Sequence, residues 1–193
     1  MPRLSVSLSL LLPMSLLVSS GRASVIVPLE VPDLVRLADR VVVASVGDGR
    51  AHFDDTERRI VTDTELVVHE VLKGGPEARL EVRTSGGVVG ELGQQVSGSA
   101  VLQRGARVLI FLRDLPAVDT PRPLCQVVGL SRGMFILRTD DGGNEVATQQ
   151  LPGLEVLDPA TGLAHPAQPA ALDAQALRRQ IRALDRVPAA RSR

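Results

Sequence analysis

Residues 86–112, GGVVGELGQQVSGSAVLQRGARVLIFL, run a glycine-rich polar loop into the most apolar β-type segment of the chain. Val108-Leu109-Ile110-Phe111-Leu112 is apolar at every position, short, and bracketed by Arg107 and Arg113. Such a run reads as a strand buried on both faces, the central strand of a sheet. The fold then follows from the segments on either side.

Upstream, Val41-Val42-Val43-Ala44-Ser45-Val46 is rich in β-branched residues and reads as a buried strand stopped by Gly47-Asp48-Gly49. Residues 48–58 are polar and irregular. Ile60–Leu72 is a second strand, in which Val61, Val67 and Val71 share one parity and Leu66, Val68 and Leu72 the other. Part of it is therefore buried on both faces, or a bulge changes its phase, as in a long coiled barrel strand. After the turn Lys73-Gly74-Gly75-Pro76, Leu80, Val82 and Thr84 alternate with Glu81, Arg83 and Ser85 in a half-exposed third strand.

Downstream of the central strand, Pro116, Pro121 and Pro123 require a loop. Gln126–Leu130 and Met134–Arg138 form two strands or one bent strand, and Asp140-Asp141-Gly142-Gly143-Asn144 turns the chain into Glu145–Thr148. Pro32-Asp33 with Leu34, Leu37 and Ala38 predicts a short helix ending near Arg40. Leu177, Ile181 and Leu184, spaced i, i+4, i+7 ahead of Pro188, predict an amphipathic one.

Strands without strand–helix–strand alternation, flanked by a helix at each end, give a mainly β fold: a small antiparallel OB-like barrel with a short N-terminal helix and a C-terminal amphipathic helix. The expected organisation is a signal peptide over 1–23, a β-barrel domain over 24–150, a linker rich in proline and alanine over 151–171, the terminal helix over 172–187 and a disordered tail over 188–193. The signal reading rests on Arg3 ahead of the apolar stretch Leu4 to Val18, and on the small residues Gly21 and Ala23 where a signal peptidase reads. The protein is accordingly expected to be exported, periplasmic or secreted, with no membrane association after cleavage.

Composition narrows the partners. Phe53, Phe111 and Phe135 are the only aromatics, so stacking platforms for bases or sugars are scarce. The 22 cationic and 22 acidic side chains balance, and loss of Arg3 and Arg22 with the signal leaves a small negative excess. Nucleic acid held through its phosphates is not expected. Cys125 is the only cysteine, which excludes an internal disulfide, and it reads as a small buried hydrophobe.

The segments ADRVVVASV at 38–46 and VVHEVLKG at 67–74, with the spacing of GG, GQ and RVLIFL across 86–112, resemble a group of uncharacterised secreted bacterial proteins. In that group a GG...GQ...G segment precedes an apolar strand ending in Phe-Leu. The order of elements over roughly residues 34–138 is also distantly similar to the netrin-like modules of tissue inhibitors of metalloproteinases, which are OB-fold barrels. That resemblance implies a barrel but not the inhibitory chemistry. The inhibitors chelate zinc through a disulfide-clamped N-terminal cysteine, whereas this mature chain would begin at Ser24 and has no disulfide.

Three stretches carry candidate chemistry. Gly129-Leu130-Ser131-Arg132-Gly133 spells G-x-S-x-G, and Asp158 and His165 follow in the order of an α/β-hydrolase. Met134-Phe135-Ile136-Leu137 continues as strand where that motif needs a helix, so a bend between strands is expected; a serine hydrolase using Ser131 is one alternative function. His52-Phe53-Asp54-Asp55-Thr56-Glu57 gathers nitrogen and oxygen ligands without zinc or calcium spacing. A metal-binding domain through His52, Asp54, Asp55 and Glu57 is a second alternative, and no cofactor is expected.

The glycine-rich loop lacks the Gly-Lys-Ser/Thr ending of a phosphate-binding loop. Its glycines permit close approach of backbone to another surface, and Gln94, Gln95, Ser97 and Ser99 offer neutral hydrogen-bonding groups. A self-packed cover over the barrel mouth is the plainer reading of such a loop, but long loops in compact domains are often functional. The leading expectation is an exported, non-enzymatic module that binds a protein or peptide through Gly86, Gly87, Gly90, Gly93, Gln94, Gln95 and Ser97, with a contribution from residues 48–58.

Overall fold

The computed structural model describes residues 24–26, 29–116, 122–151, 153–158 and 160–186. The expected signal segment over 1–23 and tail over 188–193 lie outside them. In chain order the elements are β1 (Ser24–Ile26), α1 (Val31–Leu37), β2 (Arg40–Phe53), β3 (Ile60–Lys73), β4 (Arg79–Ser85), β5 (Gly87–Val89), β6 (Leu92–Gln94), β7 (Arg107–Asp114), β8 (Leu124–Val127), a 3-10 turn (Leu130–Gly133), β9 (Met134–Thr139), β10 (Glu145–Gln149), β11 (Leu154–Leu157), β12 (Ala164–Pro166), β13 (Ala171–Asp173) and α2 (Ala174–Asp185).

Five strands close an OB-like barrel. The order β7-β2-β3-β4-β8 returns to β7 through a direct β7–β8 pairing, with β4–β8 the one parallel pair of the ring. The central strand serves this closure along both edges. One edge of β7 pairs with β2 from Arg40↔Leu112 to Ser45↔Arg107. The other is shared: Leu112, Arg113 and Asp114 pair with β8, while Val108, Leu109 and Ile110 pair with β9. β9 then extends the sheet outward through β10 to β13.

Burial on both faces of the central strands separates two apolar layers. Val42, Ala44 and Val46 of β2 and Val108, Ile110 and Leu112 of β7 point into the barrel with Leu66, Leu80, Val82 and Cys125. Val41, Val43, Leu109 and Phe111 point the other way and are covered by Leu34 and Val35 of α1 and by Ala174, Leu177 and Ile181 of α2. Two of the three phenylalanines sit in this second layer, Phe111 against Phe135 with ring centroids 6.2 Å apart and planes tilted by 56°. A tilted pair of this kind adds about 0.5–1.5 kcal/mol beyond its area. The helix α2 is seated by charge as well as by its stripe. Asp173 caps it by accepting from Ala176 N, and Arg178 reaches Glu70 on β3 and Glu145 on β10.

Several local expectations change. Gly47-Asp48-Gly49 does not stop β2, which continues to Phe53 past a register shift between Val46 and Gly49. A Cβ at Gly47 would stand 3.2 Å from Glu65 O and one at Gly49 3.0 Å from Thr64 Oγ1, so these glycines permit close strand approach within the sheet. The irregular stretch therefore shrinks to residues 54–59. The mixed parity of β3 comes from further shifts, which leave Leu72 and His69 without a direct partner on β2. The stretch read as a linker carries β11, which pairs parallel with β1, and β12, antiparallel to β11. It also carries β13 on the edge of the main sheet. Among the described residues no helix is long and apolar enough to cross a membrane.

Replacing Ile181, which is fully buried on the sheet-facing stripe of α2, by alanine is expected to cost about 2–5 kcal/mol of stability. Urea unfolding checks this; a change below about 0.5 kcal/mol would show that α2 does not cover the sheet.

Candidate functional site

Barrel strands point alternate residues inward, and at one end of this barrel the inward positions turn from aliphatic to hydroxyl-bearing. Along β3, Leu66 gives way to Thr64 and Thr62; along β4, Leu80 and Val82 give way to Thr84. These threonines and Ser85 floor a cleft of about 410 Å³. Its other wall is the chain that leaves β4, in particular Gln94, Gln95, Ser97 and Ser99, with Val101 and Leu102 at its margin. Gly153, beyond β10, closes one side, the Cβ it lacks pointing to Ser97 Oγ at 3.5 Å. None of the described residues lining the cleft is charged or aromatic.

The loop is fixed to the barrel at its base. Gly86 (φ 101°) donates its N–H to Ile60 O at 2.8 Å, and a Cβ there would sit 2.7 Å from Gln94 O. At Gly87 (φ 141°) a Cβ would meet Thr62 Oγ1 at 2.5 Å and the Ala51 methyl at 2.9 Å. Only glycine lets the chain cross so close to β2 and β3. Gln94 Oε1 accepts from Ile60 N at 2.7 Å, Thr62 Oγ1 donates to Gly86 O at 2.7 Å, and Ser99 Oγ donates to Ser85 O at 2.8 Å. Between these anchors β5 and β6 form a two-stranded hairpin on which Val88 and Leu92 are 69% and 62% exposed.

The seven residues singled out from the sequence thus divide by role. Gly86, Gly87 and Gln94 hold the loop in place, and all three also border the cleft. Gly90 and Gly93 lie exposed on the hairpin, Gln95 is exposed on the cleft wall and Ser97 is half-buried there. Sequence reasoning missed Thr62, Thr64 and Thr84 on the floor and Val88 and Leu92 on the hairpin. The substitution of threonine for aliphatic residues at one end of two alternating strands was the available signal.

In the 52–57 stretch His52 and Phe53 end β2, and the turn that follows is organised by Asp54. Asp54 Oδ1 accepts from Thr56 Oγ1 at 2.8 Å and from the N–H groups of Arg58 and Arg59 at 3.3 Å. These bonds hold its carboxyl below the usual range. The His52 ring lies between two acceptors, Phe53 O at 2.7 Å from Nδ1 and Asp63 Oδ2 at 2.8 Å from Nε2. Both ring nitrogens must carry hydrogen to satisfy them, so this geometry belongs to the imidazolium, and the bond to Asp63 followed by that to Phe53 raises its pKa. Burial alone would raise the Asp63 carboxyl, but hydrogen bonds from Arg83, two at 2.7 Å, and from His52 outweigh it and lower the pKa. Among the described residues no three His, Cys, Asp or Glu side chains converge to hold a metal ion.

The G-x-S-x-G motif forms the 3-10 turn between β8 and β9. Ser131 is wholly buried, its N–H donating to Gly98 O at 2.9 Å and its Oγ without a hydrogen-bond partner among the described residues. A Cβ at Gly133 would lie 2.2 Å from Val128 O, and Gly129 has φ 64°, so both glycines serve the turn. Asp158 accepts from Ala160 N at 2.8 Å and Thr161 Oγ1 at 2.9 Å, and His165 is exposed on β12. A serine with no exposed surface is not presented to a substrate. Cys125 is sealed in the barrel; burial, then its contact with Asp114, pushes its thiol up to about 12.

Comparison of the chain with protein-family models, with curated proteins and with solved structures finds no match.

The raised pKa of His52 sets a direction for pH dependence. Its contribution to stability is complete below its ordinary value of 6.5 and is lost as pH rises through its raised folded value. That of Asp63 is complete above its ordinary 3.8 and is lost as pH falls through its lowered value. The melting temperature of the protein relative to its His52→Gln variant should therefore be highest near about pH 5 and fall toward about pH 9. A difference that does not change with pH would rule out the imidazolium bridge.

Proposed function

We propose that this chain is an exported, non-enzymatic module that binds a protein or peptide partner at the barrel mouth, through the β5–β6 hairpin and the cleft beside it. The observation that carries the reading is the exposure of Val88 and Leu92 on a hairpin anchored at both ends by Gly86, Gly87 and Gln94. A loop serving only as cover would turn its large aliphatic side chains down onto the barrel. Here they face solvent on a rigid mount, the arrangement of an apolar anchor awaiting a complementary surface. Phe53, 39% exposed at the end of β2, adds apolar surface from the second loop region. The balanced charge and the neutral cleft favour a partner recognised by shape and hydrogen bonding over one drawn in by a strong field.

The test is capture from the culture fluid of the native host, with the captured partner then titrated against variants. Val88→Asp combined with Leu92→Asp should weaken binding by about tenfold or more while leaving the thermal transition in place, since both side chains are exposed. Equal affinity in the double variant would overturn the reading.

A further inference from the structure

We infer that the cleft takes a stretch of extended, uncharged polypeptide and reads its main chain; this rests on the binding role proposed above. Three of the hydroxyls lining the cleft are turned toward its wall. Thr62 donates its hydroxyl proton to Gly86 O at 2.7 Å, Ser99 donates to Ser85 O at 2.8 Å, and Thr84 leans toward Thr62 O at 3.4 Å. With their protons directed into the barrel wall, these hydroxyls retain lone pairs, so what they offer a ligand is acceptor capacity. The complementary ligand brings N–H donors. Gln94, whose Oε1 is held by Ile60 N, retains its side-chain NH₂ as a donor for a carbonyl. Acceptors matched to N–H groups, with an amide donor beside them, suit a peptide backbone.

Charge and shape select further. No charged side chain among the described residues lines the cleft, so an ionised group entering it would lose water without gaining a counter-charge, a cost that selects against phosphates, carboxylates and ammonium groups. Nor does any aromatic among the described residues line it, which removes the stacking surface a sugar ring favours and leaves peptide as the better match among neutral polar ligands. Val101, 53% exposed, stands at the margin beside half-buried Leu102. These aliphatic residues suit small apolar side chains alternating with the main-chain groups.

The probe is a phage-displayed library of random linear dodecapeptides selected on the immobilised protein, followed by synthetic capped peptides of the enriched sequences. Enriched peptides should share a window free of Asp, Glu, Lys and Arg. N-methylation of one amide within it, or replacement of one residue by Asp or Lys, should each weaken binding by about tenfold. Thr84→Val should weaken it about three- to tenfold. Val101→Arg, at an exposed position that leaves the core intact, should do so at least as strongly, with both variants melting as cooperatively as the parent. A charged consensus, indifference to N-methylation, or full affinity in Val101→Arg would overturn the cleft inference. If the Val88→Asp, Leu92→Asp variant nonetheless loses those peptides, the hairpin reading survives its loss. Enrichment of no peptide by the parent protein would overturn the cleft inference alone if the Val88 and Leu92 variant still loses a captured protein, and both readings if it does not.

Discussion

One strand, β7, has more neighbours than a strand ordinarily carries, and the architecture depends on how its second edge is divided. Its N-terminal half pairs with β9 and its C-terminal half with β8, so one hydrogen-bonding edge both closes the barrel and launches the sheet extension. That division requires the chain to leave β8 and enter β9 within a few residues and without crossing either. The 3-10 turn over Leu130–Gly133 achieves it, with Gly133 lying where a side chain would strike Val128 O. A sequence that spells a nucleophile motif is thereby explained as a fork in a sheet.

The closed end of the ring is stitched by charge. Arg40, at the start of β2, donates to both oxygens of Asp114 at 2.7 and 3.1 Å, and Asp114 N donates to Asp39 Oδ2 at 3.0 Å. Cys125 Sγ lies 3.4 Å from the same carboxylate. The three strands that must meet for closure, β2, β7 and β8, are tied at this point. At the opposite end the inward positions of β3 and β4 carry hydroxyls, with the Asp63–Arg83 pair on the outer face between them, and there the cleft opens. The Arg40–Asp114 tie and the cleft thus occupy different ends of the barrel.

The reading of RVLIFL as a central, doubly buried strand survives because unbroken hydrophobicity over five residues leaves no exposed face to assign. The stripe Leu177, Ile181, Leu184 survives for the same reason: its period is local. What escaped the sequence depends on distant pairing. Gly47 and Gly49 carry the signature of a turn, and only the approach of Glu65 and Thr64 from β3 reveals them as strand residues. Thr84 shares the parity of Leu80 and Val82 in the sequence, but only the register brings it opposite Thr62 and beside Thr64 on the cleft floor. The short strands β11 and β12 are masked by proline and alanine, and β11 pairs with β1 from the other end of the chain. The glycine-rich loop was legible as a place of interest, yet three of its residues, Gly86, Gly87 and Gln94, prove to be its mounting.

The C-terminal helix crosses strands made early in the chain: Glu70 and Arg178, which meet at 2.9 Å, are 108 residues apart. Until Leu177 and Ile181 arrive, Val41, Val43, Leu109 and Phe111 have no cover from α2 on their outer layer. A chain delivered N-terminus first therefore carries an incompletely covered sheet through most of its emergence, and contacts of such long separation are slow to form. The outer layer is complete only when α2 is seated on strands laid down about a hundred residues before it.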